Sequence, residues 1–189
     1  MGSRKKASVA IKMFIDSFHD RNQIEEWVWE YLSDYDTERR LHIRHEIFSE
    51  LVYPVLKYGF DNNNFKCTYW LYMLIHNLYK NRTLHELSGY LTETQVLEKC
   101  YRLNSTDNHI RSLLLKSLVG FLEYSIHEWP FGIIFGNNGA TISECRIIRK
   151  DVRRVRELDY DNIYKAFIED YEVKLSEYEN RVYPNKQSE

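Results

Sequence analysis

The sequence predicts an all-α fold, and three observations support that prediction. The 189 residues include only seven glycines and three prolines, too few for a sandwich with many tight turns. Apolar residues recur every three or four positions along most of the chain, as in helices with one buried face. Hydrophobic residues make up 43% of the chain, enough to form a core. We therefore expect a single domain over 1–189 of roughly eight helices, with flexible ends at 1–6 and 183–189.

The first extended helical pattern covers 38–58 and continues through Phe48, Leu51 and Val55. Pro54 lies inside this pattern. Because proline has no backbone N–H, it should kink or end the helix there.

Two later segments, 65–80 and 109–128, are apolar on more than one face. Helices of that kind belong at the centre of a fold, so both are expected in the core. Residues with turn and N-cap chemistry precede each of them, at 61–64 and 105–108.

Three segments have the Thr-x-x-Glu/Gln spacing of a capping box, beginning at Thr83, Thr92 and Thr141. In such a box the threonine hydroxyl accepts from a free helix N–H, while the acid or amide bonds back to the threonine N–H. These segments predict three helix starts. A further amphipathic helix is expected over 160–181, ending near Pro184.

A faint internal repeat accompanies these segments. The turn at Asp61 recurs at Asp107, and the box at Thr92 recurs at Thr141, with offsets of 46 and 49 residues. Helical hairpins of HEAT or armadillo type repeat every 40–47 residues or so, at about this spacing. An irregular helical bundle is slightly favoured over a short array of such hairpins.

Charge and cysteine usage restrict the class of protein. The net charge of −2 disfavours a globally basic nucleic-acid binder. The charge is uneven, however: −5 over 25–61, +4 over 129–156 and −5 over 157–189. The three cysteines are widely spaced, as in reduced cytosolic proteins. No apolar run approaches the ~20 residues that span a bilayer. The chain is therefore expected to be cytoplasmic and not to associate with a membrane.

Motifs for nucleotide or cofactor chemistry are absent, so no cofactor is expected. His42, His45 and Glu46 would share one helix face, as metal ligands do, but the zinc-protease and di-iron spacings are missing. A surface cluster of charged residues is the favoured interpretation, and no metal is expected.

Arg40 and His45 form an Arg-x4-His spacing that resembles the catalytic motif of the HEPN helical ribonucleases. That resemblance implies RNA cleavage supported by these two residues, with Leu41 at a position that is usually polar in the family. A HEPN-like ribonuclease or RNA-binding protein is thus the alternative to a non-enzymatic chain.

The helix opened by Thr141 has a basic face formed by Arg146, Arg149, Lys150, Arg153 and Arg154. Such a stripe can bind phosphates. Neutralisation by the acidic helix over 160–181, or simple solvation, is the favoured interpretation.

Acidic residues alternate with aromatic ones near Asp34, Tyr35, Asp36 and Glu38. This mixture is typical of a surface that binds a basic protein. An ordinary cluster of acids at a helix start is the competing interpretation.

One long segment, 127–140, interrupts the helical pattern and contains three of the seven glycines. Such apolar, glycine-containing loops either fold back onto a core or serve in recognition. The recognition alternative assigns partner contacts to Trp129, Phe131, Phe135, Asn137 and Asn138.

The stretch from Tyr124 to Arg146, with His-Glu-Trp-Pro-Phe-Gly and Gly-Asn-Asn-Gly-Ala-Thr, resembles segments of small all-helical bacterial immunity proteins, including those of contact-dependent growth inhibition. The resemblance implies a cytoplasmic protein that binds a cognate toxin domain, often a basic nuclease, and blocks its active site. A helical adaptor or regulatory scaffold is a further alternative.

Overall fold

A computed structural model describes residues 3–34, 43–136 and 138–184. Every regular element in these ranges is helical, and eight helices span seven residues or more. The predicted all-α fold is confirmed. Contacts group the chain into two compact units, Met1–Thr106 and Asp107–Glu189.

The first unit consists of helices and one π-helical segment, Phe48–Val52. In chain order the helices are α1 (Ser3–Ile15), α2 (Arg21–Ser33), α3 (His45–Ile47), α4 (Tyr53–Asp61), α5 (Phe65–Met73), α6 (Ile75–Tyr79), α7 (Arg82–Leu87) and α8 (Glu93–Leu103). Helix α5 packs against both α4 and α8. Its central place agrees with the apolar pattern of the sequence.

Pro54 does not end the helix in which it lies. The chain stays helical from His45 to Asp61, and the irregularity is the π-helical segment Phe48–Val52 directly before the proline. A wider turn accommodates a residue that cannot donate to the carbonyl four positions earlier. Of the expected helix over 38–58, residues up to 42 lie outside the described ranges.

The segment 65–80 is central but not continuous. It divides at Leu74, whose φ and ψ of −106° and 10° are not helical. Leu71, Leu74 and Leu78 are nonetheless all fully buried. The break lets side chains on both sides of Leu74 reach the core, which explains why the sequence is apolar on more than one face.

The second unit contains three long helices, α9 (Asn108–Ser125), α10 (Ile142–Leu158) and α11 (Lys165–Val182), and a 3₁₀ turn, Trp129–Phe131. Helix α10 packs against both α9 and α11. Helix α11 begins five residues later than expected. The Asp159 carboxylate accepts hydrogen bonds from the backbone N–H groups of Ile163 and Tyr164, at 3.0 and 2.7 Å, and fixes a turn before the helix.

Two of the three expected capping boxes are present, and they start α8 at Thr92 and α10 at Thr141. The box expected at Thr83 is absent. Asn81 caps α7 instead, because its side-chain oxygen accepts the N–H of Leu84. Thr83 therefore lies in the first turn of that helix.

The two stretches that suggested a repeat have different structures. Helices α5 and α8 pack together, as do α9 and α10. The first pair is separated by two further helices, α6 and α7, whereas a 3₁₀ turn and a loop connect the second. Helix α9 is also twice as long as α5, 18 residues against nine. These differences are those of an irregular bundle.

All three cysteines, Cys67, Cys100 and Cys145, are buried, and none of them is in a disulfide bond. None of the helices in the described ranges has the length and apolar character needed to cross a membrane.

Candidate functional site

The loop between α9 and α10 is fixed to the second unit at several points. Near its middle, the Phe135 N–H donates to the carbonyl of Ser125, the last residue of α9, at 2.7 Å. The neighbouring Ile134 is fully buried. At its far end, the hydroxyls of Tyr178 and Tyr183 both donate to the Ala140 carbonyl at 2.9 Å. This loop is folded back onto the core along part of its length.

Its first turn carries a side chain away from the core. Phe131, the last residue of the 3₁₀ turn, is 79% exposed, more than any other large hydrophobic side chain among the described residues. Gly132 follows in the left-handed region, with φ of 72°, and its N–H donates to the Trp129 carbonyl at 2.6 Å. Burial of Ile134 and exposure of Phe131 occur within four residues.

Arg181 of α11 holds this turn in place. Its guanidinium donates to the Gly132 carbonyl and lies 5.9 Å from the centre of the Trp129 ring. A Cβ at position 132 would collide with the same guanidinium. Gly132 suits the left-handed backbone conformation and leaves room for the Arg181 guanidinium.

A second exposed aromatic side chain belongs to the end of α9. Tyr124 is 63% exposed and stacks on His127, with the ring centres 5.1 Å apart. The His127 ring lies against the Glu128 carboxylate at 3.0 Å. Around the start of the loop, therefore, aromatic rings and charged groups are held by local contacts.

The other loop residues expected to contact a partner are placed differently. Trp129 is half-buried, and Phe135 is half-buried against Phe121, with the ring centres 5.8 Å apart. Asn138 is exposed, whereas Asn137 lies outside the described residues. Sequence reasoning missed Arg181, Tyr178 and Tyr183, because no local pattern connects them with a loop more than 35 residues earlier.

Of the acidic cluster, the structure describes only Asp34, which is exposed at the end of α2 in the first unit. Tyr35, Asp36 and Glu38 lie outside the described ranges. The loop belongs to the second unit, whereas Asp34 belongs to the first.

Of Arg40 and His45, the catalytic pair of the alternative nuclease interpretation, the structure describes only His45. Arg40 lies outside the described residues, whereas His45 is exposed at the start of α3. Its Nδ1 is 3.5 Å from the side-chain nitrogen of Asn81, the residue that caps α7. This contact places the His45 ring beside the residue that caps α7. The nuclease interpretation stays a prediction.

Metal ligands are not gathered anywhere in the described part of the chain, where no three His, Cys, Asp or Glu residues could hold an ion. His42, one of the three residues weighed for such a site, lies outside that part.

The basic face of α10 divides into two sides. Arg149 faces α11, where its Nε lies 3.2 Å from the Glu179 carboxylate. Arg154 pairs with Glu157 at 2.8 Å. Arg146, Lys150 and Arg153 are exposed, and the structure gives them no acidic partner within the described residues. Glu179 of the acidic helix thus neutralises Arg149, Glu157 of α10 itself pairs with Arg154, and the other side of the stripe is solvated.

Comparison of the chain with protein-family models, curated proteins and solved structures finds no match. Its function is therefore inferred from its own residues.

Proposed function

We propose that this chain is a non-enzymatic protein-binding module that acts as an immunity protein. It binds a cognate toxin domain and blocks the active site of that domain. The observation that carries the proposal is Phe131, a 79% exposed phenylalanine on a turn fixed by Gly132 and Arg181. Aromatic side chains are enriched at protein interfaces.

A fixed turn makes an exposed aromatic ring effective in binding. Ordering a mobile loop on association costs free energy, whereas a loop that is already anchored loses little. Full burial of a phenylalanine side chain contributes about 1.5–3 kcal/mol. Tyr124 and Trp129, near the same turn, add amphipathic area of the kind that hot spots use.

The nature of the partner is proposed from charge and from the resemblance of 124–146 to immunity proteins. Segments 25–61 and 157–189 each carry a net charge of −5. Exposed acids such as Asp34 would attract a basic partner and accelerate its association. Many toxins that immunity proteins neutralise are basic nucleases, and that is the partner we propose.

Capture of tagged chain from its native cell tests the proposal, with Phe131→Ala and Leu87→Ala as a matched pair. Leu87 is 76% exposed but lies on α7 in the first unit, so it controls for loss of an exposed apolar side chain. Wild type and Leu87→Ala should retain one stoichiometric partner. Phe131→Ala should bind that purified partner about thirtyfold or more weakly, since truncating a hot-spot residue costs about 2 kcal/mol or more.

Two results would overturn the proposal. One is equal affinity of the wild type, Phe131→Ala and Leu87→Ala for the partner, which would show that the interface does not include the loop. The other is RNA cleavage by the wild-type chain that is lost in His45→Ala, which would establish the nuclease alternative.

A further inference from the structure

A groove in the second unit runs along α10, the helix that also carries the basic stripe. Its volume is about 240 Å³, and it is lined by Phe121, Phe135, Glu144, Ile147 and Ile148. Four of these five side chains are apolar. Ile147 is 54% exposed, although helix α10 has a fully buried face of its own in Cys145, Ile148 and Val152. An aliphatic side chain exposed at a groove is the kind of surface that a partner covers.

Basic groups occupy the helix face next to Ile147. Arg146 is its neighbour in sequence, while Lys150 and Arg153 follow one and two turns later on the exposed side of α10. The two arginines on the α11 side, Arg149 and Arg156, are matched by Glu179 and Glu172. The exposed three are without such a match in the ranges that the structure describes, so their charge is available to an external group.

The groove contains a single acid, Glu144, which offsets at most one of the three exposed basic charges. One oxygen of the Glu144 carboxylate accepts both the N–H and the hydroxyl of Thr141, at 2.7 and 2.6 Å, in the capping box. These hydrogen bonds lower the pKa of Glu144, which keeps the carboxylate ionised. The apolar lining of Phe121, Phe135 and Ile147 suits an aliphatic or aromatic side chain, which favours a protein segment over a nucleic-acid backbone as the occupant.

We propose that this groove binds an acidic protein segment. An apolar side chain of the segment enters the groove between Phe121, Phe135 and Ile147, and its carboxylates lie against Arg146, Lys150 and Arg153. Partner segments commonly dock on a groove in this manner: apolar side chains that enter the groove provide most of the affinity, and flanking charged groups fix the orientation. The lining of this groove does not include Phe131, and its partner has the opposite charge to the proposed toxin.

A phage-displayed library of random short peptides, panned on the full-length chain, tests the inference. Recovered peptides should combine Asp or Glu with a Leu, Ile or Phe anchor. Their affinity should fall about tenfold or more in Arg146→Glu/Lys150→Glu, because two attractive contacts become repulsive. Lys5→Glu/Lys6→Glu reverses two exposed charges on α1 and should leave peptide binding unchanged.

The apolar half of the site has its own matched pair. Ile147→Asn should weaken the recovered peptides severalfold, whereas Ile163→Asn, at a 70% exposed isoleucine outside the groove, should not. All positions changed are exposed, and circular dichroism checks that each variant is folded. The Phe131→Ala variant should bind these peptides normally, so a failure of this inference is distinct from a failure of the proposed function.

Several outcomes would overturn the inference. These are peptides without acids, no enrichment of any peptide, or equal affinity for the groove variants and their controls. Binding of a single-stranded RNA oligonucleotide that Arg146→Glu/Lys150→Glu abolishes, without peptide binding, would assign the stripe to nucleic acid. Concentration-dependent dimerisation that Ile147→Asn abolishes would assign the groove to a second copy of this chain.

Discussion

Gly59 occupies a position in α4 where no side chain fits. A Cβ there would overlap the side chain of Cys67 on α5, and Gly59 itself is buried. In an exposed helix, replacing glycine by alanine stabilises because the unfolded chain loses freedom. At Gly59 the close packing of α4 on α5 reverses the sign of that effect.

We expect Gly59→Ala to lower the free energy of unfolding by about 1–3 kcal/mol through overpacking. Gly120 is the matched control. It is exposed in α9 with nothing near its Cβ direction, so Gly120→Ala should stabilise by about 0.5–1 kcal/mol. Urea unfolding of the two variants measures both values. Equal signs would contradict this account of the α4–α5 contact.

Tyr171 is fully buried, and its hydroxyl lies 2.6 Å from the Ser125 hydroxyl. Burial, opposed in part by this hydrogen bond, raises the pKa of Tyr171 from 10 to about 12. Because the folded pKa exceeds the unfolded one, the unfolded chain loses the proton first as pH rises. The contribution of Tyr171 is therefore fully present below pH 10 and is lost as pH rises through about 12.

Tyr171→Phe should cost about 1 kcal/mol at neutral pH, the net value of a buried hydrogen bond. It should also reduce the loss of stability between about pH 10 and about pH 12. Urea unfolding at both ends of that range measures the two effects. Tyr90→Phe, which removes an exposed hydroxyl, is the control. An unchanged alkaline loss in Tyr171→Phe would contradict the assignment of this effect to Tyr171.

At the scale of the element, helix starts depend on side chains that bond their own backbone. Thr92 and Thr141 accept the N–H of the third helical residue, and Gln95 and Glu144 bond back. Thr83 has the same spacing to Glu86, but the N-cap of α7 is Asn81, two residues earlier, whose side chain accepts the N–H of Leu84. A sequence motif therefore identifies a helix start, while the competing cap nearby decides which residue provides it.

This difference predicts a graded series. Thr92→Ala and Thr141→Ala should each lower stability by about 1 kcal/mol, and Asn81→Ala by a similar amount. Thr83→Ala should change it little, because alanine is well tolerated inside a helix. Thermal or urea unfolding of the four variants provides the comparison. A loss at Thr83 as large as at Thr92 would indicate that α7 starts at Thr83 in solution.

At the scale of the whole molecule, charge of one sign gathers in segments of the sequence. Some of these charges are neutralised by ion pairs within the second unit, where Arg149 and Arg156 of α10 pair with Glu179 and Glu172 of α11. Asp34 and the outer basic residues of α10 remain exposed. Charges that stay exposed act on partners through their field, and salt screens that field.

The proposed toxin partner should consequently associate more slowly as salt is added. We expect its association rate constant to fall by about tenfold between about 50 mM and about 500 mM NaCl, while the dissociation rate constant changes less. Biolayer interferometry with the captured partner separates the two constants. Association that is independent of salt would remove the role proposed for the acidic segments and leave that of Phe131.

The sequence by itself determined the all-α class, the central position of 65–80, the burial of apolar residues of 109–128 in the core, and the caps at Thr92 and Thr141. These features depend on interactions within a few residues or on the period of one helix, and a linear pattern records both. The break at Leu74, the choice of Asn81 as cap and the later start of α11 depend on competing local contacts. A sequence motif does not indicate which of several competing contacts is the more stable.

The candidate site was decided by the tertiary structure. Within one apolar loop, Ile134 became core and Phe131 became surface, because Arg181, Tyr178 and Tyr183 bond the loop backbone from 38 or more residues away. The same packing matched Arg149 with Glu179 and left Arg146 and Lys150 in solvent beside the groove. Exposure of a side chain depends on what folds over it, and that information is not local in the sequence.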